Sequence, residues 1–178
     1  FGRVPAMLNF SAGTANMQAA LTAAKIKTVV TSRRFIKLGK LEDALETLGT
    51  QGEIVYLEDV RKKISGLDKL LGLVSRYFAR SVHERHASSP DAPAVVLFIS
   101  GSEGTPKGVV LSHENLLANR YQLTARIDFN PTDTVFNALP IFHSFGLTGG
   151  TLLPMLSGVK TFLYPSPLHY RVVPALVY

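Results

Sequence analysis

A loop rich in glycine and hydroxyl side chains, with one lysine, carries the clearest chemistry in this sequence. It reads Ser-Gly-Ser-Glu-Gly-Thr-Pro-Lys-Gly from residue 100 to residue 108. Glycines allow a backbone to approach a ligand closely, hydroxyl and amide groups donate hydrogen bonds, and a lysine supplies a compact positive charge. Phosphate oxygens bind groups of these kinds, so the composition favours a polyphosphate-binding loop. The candidate phosphate-binding residues are Ser100, Gly101, Ser102, Glu103, Gly104, Thr105 and Lys107.

Two other loop classes and one simpler explanation compete with phosphate binding. A Walker A loop ends in adjacent Gly, Lys and Ser or Thr and enters a helix, whereas here Pro106 precedes Lys107 and the pattern after it predicts a strand. A nucleophile elbow needs the pattern G-x-S-x-G, which the loop lacks. An ordinary surface turn stays open, because turns rich in Gly and Ser are common. The spacing alone does not decide between phosphate binding and such a turn.

The elements around the loop must place it at the edge of a sheet. A buried strand at 94–99 is predicted directly before it, at the carboxyl end where α/β sheets bind ligands. Helices and strands alternate along the whole chain, which predicts an α/β fold with a mainly parallel sheet covered by helices on both faces. The predicted helices are 14–25 with Thr14 as N-cap, 41–48, 67–78, 114–123 after a Ser112 cap, and 151–156. The predicted strands are 27–32, 53–57, 94–99, 109–111, 134–138 and 160–164.

The composition is that of an ordinary globular protein with an anionic partner. Of 178 residues, 46% are hydrophobic and 18% charged, and the net charge is +6. The absence of cysteine excludes disulfide frameworks, thiolate metal sites and cysteine nucleophiles. His83 and His86 have the spacing of a metal pair but no third ligand nearby, so we expect no metal site. No window has the roughly 18 consecutive apolar residues of a membrane span.

Residues 61–86 hold most of the positive charge. Apolar residues recur there at helical spacing on one face, at Leu67, Leu70, Leu71, Val74 and Phe78. In most proteins such a helix packs its apolar face against the core and exposes its basic residues to solvent on the opposite face. The alternative is docking on an anionic membrane surface or on an acidic carrier protein. Nucleic acid is not expected, because the chain has no aromatic-rich RNA-binding signature and no basic recognition helix.

Two segments resemble the acyl-adenylate-forming, or AMP-binding, superfamily. Residues 98–119 (FISGSEGTPKGVVLSHENLLAN) are similar to its S-G-[ST]-x-G-x-P-K-G loop, which binds the phosphates of ATP. Residues 138–147 (ALPIFHSFGL) are similar to its P-x-F-H-x-x-G segment, and the resemblance implies that Phe142, His143 and Gly146 line the acyl pocket. At position 99 the family usually has Thr or Ser, and this chain has Ile99.

The resemblance also implies what the complete protein does. Residues 162–178 (FLYPSPLHYRVVPALVY) are similar to bacterial members that use ATP and Mg²⁺ to activate a fatty acid, load it onto acyl carrier protein and reacylate a lysophospholipid at the cytoplasmic face of the inner membrane. A long-chain acyl-CoA synthetase and a nucleotide-binding module without chemistry are the alternatives.

We expect the chain to be a fragment of the family's large N-terminal domain, with an upstream αβ part at 1–86 and a part carrying both motifs at 94–178. The family's later Y-G-x-T-E, T-G-D and C-terminal lysine motifs do not occur in these 178 residues. No catalytic residue is therefore assigned, and we expect the fragment to be inactive alone.

Overall fold

The structure, a computed structural model, describes residues 2–86, 89–100, 104–166 and 168–177. Gly101, Ser102 and Glu103 of the predicted phosphate loop lie outside the described residues, and so does the side chain of Ser100. Contacts divide the chain into two units, each built from more than one stretch of sequence. The first consists of Phe1–Ala6, Phe10–Ser89 and Ile99–Gly108, and the second of Met7–Asn9, Pro90–Phe98 and Val109–Tyr178.

The first unit is built around a parallel strand pair and the helices that connect it. Strands β2 (Thr28–Thr31) and β3 (Glu53–Tyr56) pair with Thr28 opposite Glu53. Its helices are α1 (Thr14–Ala23), α2 (Arg33–Gly39), α3 (Glu42–Gly49), α4 (Leu57–Lys63), α5 (Gly66–Ser75) and α6 (Ala79–Arg85), with short 3-10 turns at Phe10–Ala12 and Arg76–Phe78.

Helices α1 and α3, with Ile36 of α2, form the core of the first unit. They bury their small and aliphatic side chains at helical spacing, which is how an amphipathic helix covers a sheet. The predicted N-cap at Thr14 is wrong, because Thr14 is the first helical residue and Gly13 is the cap. Gly13 has φ +87°, a conformation that a β-branched threonine rarely adopts. The buried core residues are Met17, Ala20, Leu21, Ile36, Ala44, Leu45 and Leu48.

The apolar face of α5 is not part of that core. Every residue from 61 to 81 is exposed, including all of α5 and the turn that follows it. The apolar face of α5 therefore does not pack against a core formed by the described residues. None of the described helices is long and apolar enough to cross a membrane.

The strands on which both sequence motifs depend lie mostly in the second unit, while residues Ile99–Gly108 belong to the first. The three-stranded sheet has the order β1 (Ala6–Met7), β4 (Pro93–Ser100) and β5 (Pro106–Ser112). Strands β6 (Thr134–Asn137) and β7 (Lys160–Leu163) form a separate parallel pair. Helix α7 (His113–Thr124), helix α8 (Ser144–Leu147), a π-helix (Thr148–Leu152), α9 (Leu153–Ser157) and α10 (Val173–Val177) complete the elements.

A small apolar cluster holds β4 in place. Val95 and Leu97 of β4 and Leu147 of α8 are buried together. The half-buried side chains that pack against them are Met7, Leu111, Leu116 and Leu152. The alternation of inward-facing Val95 and Leu97 follows the two-residue period of a strand, so the apolar run that predicts β4 also fixes which side chains reach the core.

Candidate functional site

The predicted phosphate loop joins two neighbouring strands of one sheet. It follows β4, which ends at Ser100, and precedes β5, which begins at Pro106. Strands β4 and β5 are hydrogen-bonded neighbours, and only residues 101–105 connect them, fewer than a parallel crossover needs. The chain therefore enters a strand after the loop, as the sequence predicts, and not the helix of a Walker A loop.

The described part of the loop offers groups that fit a phosphate. Gly104 has φ +80°, and a Cβ added there would meet nothing within 4 Å. Thr105 and Lys107 are exposed, so their hydroxyl and ammonium groups are open to a ligand. In the part of the chain that the structure describes, Lys107 has no ion pair. An accessible ammonium beside a glycine-bordered backbone is the donor set that phosphate oxygens require.

The second motif forms a tight turn that leads into α8. His143 is exposed, and its Nδ1 accepts a hydrogen bond from the Phe145 N–H at 3.3 Å, so the ring caps the helix. The His143 N–H donates to the Pro140 carbonyl at 3.0 Å. Phe142 is half-buried, and Gly146 is buried. A Cβ at Gly146 would overlap the Pro140 carbonyl oxygen, so only glycine allows this close approach.

A buried asparagine that the sequence analysis missed holds this turn. Asn137, at the end of β6, is 5% exposed. Its Nδ2 donates to the Gly146 carbonyl and to Thr151 Oγ1, both at 3.3 Å, and its Oδ1 accepts the Leu139 N–H at 3.0 Å. The Thr151 hydroxyl also donates to the Gly146 carbonyl, at 2.8 Å. An amide in the otherwise apolar segment TVFNA was the available signal, because a buried amide must find partners.

The structure thus brings Phe142, His143 and Gly146 together with Asn137 in one turn of the second unit. Gly104, Thr105 and Lys107 belong to the first unit. Among the described residues, no group of three or more His, Cys, Asp or Glu side chains could hold a metal ion. The His86 ring Nδ1–H donates to the Val82 carbonyl at 2.9 Å, within its own helix.

The comparisons with known proteins place the chain in a family. A family model described as AMP-binding enzyme matches residues 1–177. The chain is 41% identical over 102 residues to a sulfoacetate–CoA ligase of Cupriavidus necator, an alignment that covers 49% of the chain and 20% of the relative. It is 36% identical over 105 residues to a medium-chain-fatty-acid–[acyl-carrier-protein] ligase of Teredinibacter turnerae, covering 58% and 16%. It is 33% identical over 109 residues to a medium-chain fatty-acid–CoA ligase of Escherichia coli, covering 57% and 19%.

Solved structures show the same fold. The O-succinylbenzoate coenzyme A synthetase of Bacillus subtilis, in complex with ATP and a magnesium ion, matches with a TM-score of 0.73 at 17% identity, over 99% of this chain and 32% of that one. ATP-bound MatB from Rhodopseudomonas palustris matches with a TM-score of 0.67 at 22% identity, over 99% and 33%. The predicted fold class is confirmed: the chain has the α/β fold of the N-terminal domain of acyl-adenylate-forming enzymes.

The chain spans about a fifth of the length of these curated relatives and about a third of the length of these solved chains. Its glycine-rich loop between β4 and β5 and its P-x-F-H-x-x-G turn after β6 carry the two segments that resemble the superfamily. Since the family model matches residues 1–177, the chain belongs to the AMP-binding enzyme family.

Proposed function

We propose that this chain is the phosphate-binding part of an ATP-dependent fatty-acid ligase that forms an acyl-adenylate. The observation that carries the proposal is the loop between β4 and β5, where Gly104, Thr105 and Lys107 offer an accessible donor set. Its support comes from the AMP-binding family match and from relatives that are ligases of fatty acids.

In the proposed reaction, a carboxylate oxygen of the fatty acid attacks the α-phosphorus of ATP and pyrophosphate leaves. Negative charge grows on the β- and γ-phosphates as the bond to the α-phosphorus breaks. The Lys107 ammonium, the hydroxyls of Ser100, Ser102 and Thr105, and the backbone amides near Gly101 and Gly104 would stabilise that charge. Bound Mg²⁺ would supply further positive charge at the phosphates.

For the second motif we propose that Phe142, His143 and Gly146 shape the entrance to the acyl pocket. His143 is exposed, so its ring is open to a ligand while it caps α8. Gly146 keeps the turn close to Pro140. The buried Asn137 restrains the backbone on both sides of the turn, which supports a fixed position for the ring.

We further propose that the complete protein resembles the bacterial members of the family that have two activities, acyl-carrier-protein ligase and lysophospholipid acyltransferase. Acyl carrier protein would be the acceptor, a lysophospholipid the final substrate, and the cytoplasmic face of the inner membrane the location. The support is the resemblance of residues 162–178 and the 36% identity to an acyl-carrier-protein ligase.

A CoA acceptor is the second candidate. Besides the Escherichia coli enzyme, the long-chain-fatty-acid–CoA ligase 4 of Saccharomyces cerevisiae is 30% identical over 131 residues, covering 71% of this chain and 19% of that protein. Assaying thioester formation by the complete protein with each acceptor separates the two. Product only with CoA would exclude the carrier-protein function.

The loop assignment is tested by Lys107→Ala in the complete protein. A charge-assisted contact contributes about 1.5–3 kcal/mol, so we expect ATP–pyrophosphate exchange to fall roughly ten- to a hundredfold. Lys27→Ala, which removes an exposed lysine just before β2, is the matched control and should leave exchange unchanged. Equal exchange by Lys107→Ala and the native protein would exclude the phosphate role of this lysine. ATP binding by the complete protein without any exchange would instead favour a nucleotide-binding module.

A further inference from the structure

Helix α5 and the 3-10 turn after it (Arg76–Phe78) present an apolar stripe to solvent. Leu67, Leu70, Leu71 and Val74 recur at i, i+3, i+4 and i+7 of one helical face, and the face continues at Phe78. Their side chains are among the seven large apolar ones that this segment exposes by about half or more. These are Leu67 71%, Leu70 57%, Leu71 63%, Leu73 54%, Val74 49%, Tyr77 73% and Phe78 60%.

Local signals, and not packing, start this helix. Ser65 and Asp68 form a reciprocal capping box: the Ser65 N–H donates to the Asp68 carboxylate at 2.8 Å, and the Asp68 N–H donates to Ser65 Oγ at 3.2 Å. A helix as short as α5 is marginal in water without an apolar surface to cover it. The described residues supply no such surface, so the stripe favours an apolar surface beyond the described residues.

The charge around the stripe is strongly positive. Residues 61–86 contain only two acidic residues, Asp68 and Glu84, and Glu84 pairs with Arg80 at 2.8 Å. The Arg76 guanidinium lies over the Tyr77 ring at 4.7 Å and donates to the Tyr77 hydroxyl at 2.7 Å. The basic residues of the segment are Arg61, Lys62, Lys63, Lys69, Arg76, Arg80 and Arg85.

We propose that residues 61–86 lie in the plane of an anionic lipid bilayer, with the leucine stripe at the acyl boundary and the basic side chains at the lipid phosphates. Amphipathic helices with cationic polar faces bind bilayers in this way. A bilayer fits better than an acidic carrier protein, because the apolar stripe is long and open and not a confined pocket. The inference rests on the exposed segment and agrees with the lysophospholipid substrate proposed above without requiring adenylation.

Tryptophan fluorescence can report this insertion directly, because the 178-residue chain contains no tryptophan. Leu71→Trp places the probe in the stripe, and Leu38→Trp, at a residue of α2 that is 75% exposed, is the control. With vesicles of phosphatidylcholine and phosphatidylglycerol, we expect a blue shift for Leu71→Trp only. The shift should shrink as salt rises and should be absent with phosphatidylcholine alone.

Paired substitutions then separate charge from apolar contact. Lys69→Gln with Arg76→Gln should weaken vesicle binding about thirtyfold at low salt. Leu67→Gln with Leu70→Gln should weaken it about tenfold or more, since glutamine keeps helix propensity and removes apolar area. Lys27→Gln with Lys37→Gln removes the same charge from exposed positions elsewhere in the first unit and should change binding little. Circular dichroism confirms that each variant keeps its helix content.

Three outcomes would overturn the proposal. The first is no blue shift for Leu71→Trp with anionic vesicles. The second is binding to an acidic carrier protein but not to vesicles. The third is self-association of the chain that Leu67→Gln with Leu70→Gln abolishes, which would assign the stripe to a second copy. Loss of pyrophosphate exchange in the complete protein would contradict the proposed ligase and leave these binding results standing.

Discussion

His143 has a local structural task in addition to its proposed role at the acyl pocket. Its Nδ1 caps α8 by accepting the Phe145 N–H, yet the ring is exposed. In the complete protein we expect His143→Ala to change the dependence of adenylation on fatty-acid length while ATP affinity stays nearly constant. The measurement is pyrophosphate exchange across a series of chain lengths.

His143→Asn separates the two roles, because asparagine is a good N-cap but lacks the imidazole ring. If the ring shapes the pocket, His143→Asn changes the length preference as His143→Ala does. If His143→Asn keeps the native fatty-acid length preference, then His143 acts only as the N-cap of α8 and does not shape the acyl pocket. Loss of ATP affinity with an unchanged length preference would contradict the pocket assignment in either variant.

Gly150 tests how tightly the buried asparagine holds the second motif. A Cβ at Gly150 would overlap the Asn137 side chain, so Gly150→Ala must displace a buried group that has three hydrogen-bond partners. We expect this variant of the chain to lose about 1–3 kcal/mol of unfolding free energy, the usual cost of overpacking. Chemical denaturation followed by circular dichroism measures the loss.

Gly72 provides the matched glycine control. It lies in α5, and a Cβ there would meet nothing within 4 Å. Gly72→Ala should therefore increase stability slightly, by about 0.5–1 kcal/mol, through better helix propensity. Asn137→Ala combined with Gly150→Ala should lose less than the sum of the single losses, because the overlap is removed. Strict additivity would contradict the contact between these two residues.

At the scale of elements, the capping box makes α5 sensitive to acid. Hydrogen bonds from the Ser65 hydroxyl and N–H lower the pKa of Asp68 from its ordinary value of 3.8. The ionised carboxylate accepts these hydrogen bonds, so it stabilises the folded helix. That stabilisation is fully present above the ordinary pKa of 3.8 and is lost as the pH falls through the lowered pKa of the folded state. We expect the helical signal at 222 nm to decrease below about pH 4.

Asp68→Asn isolates this effect from the titration of other carboxylates. Asparagine can still accept the Ser65 N–H but does not titrate, so the acid-induced loss should be smaller in the variant than in the native chain. Identical acid profiles for the two chains would mean that the capping box contributes nothing to the pH dependence.

At the scale of the whole molecule, we expect the chain to hold only part of the proposed ATP site. It spans about a third of the solved chains whose fold it shares, and adenylation needs the acid, the α-phosphate and the metal in one geometry. We expect the 178-residue chain alone to release no pyrophosphate. Its affinity for ATP should be on the order of millimolar, or about −4 kcal/mol.

Calorimetry with ATP, and a pyrophosphate assay with Mg²⁺, a fatty acid and a carrier protein, test this expectation. The same assay on the complete protein is the positive control. Turnover by the 178-residue chain, or micromolar ATP affinity, would show a self-sufficient nucleotide site and contradict the interpretation as a fragment.

Elements with a strong period were predictable, and elements held by distant partners were not. The apolar runs of β2, β3, β4, β6 and β7 lie within about two residues of their predicted bounds, because strand and helix periods are local properties. Helix α2 was missed although Ser32 caps it locally by accepting the Phe35 N–H at 3.1 Å, and partners distant in sequence also hold its start. Arg33 pairs with Asp59 at 2.6 Å, its N–H donates to Glu58 Oε1 at 3.0 Å, and its guanidinium lies over Tyr56 at 4.0 Å.

The sequence by itself determined the α/β class, the strand before the loop, the Ser112 cap of α7 and the family resemblance, since each depends on neighbouring residues. The tertiary structure alone decided that Asn137 supports the His143 turn and that the α5 stripe is exposed. Both depend on whether residues distant in sequence contact each other. The local hydrophobic periodicity of a sequence does not report the free energy of such contacts. The same amphipathic pattern would suit a buried helix, and only the tertiary structure shows that α5 is exposed among the described residues.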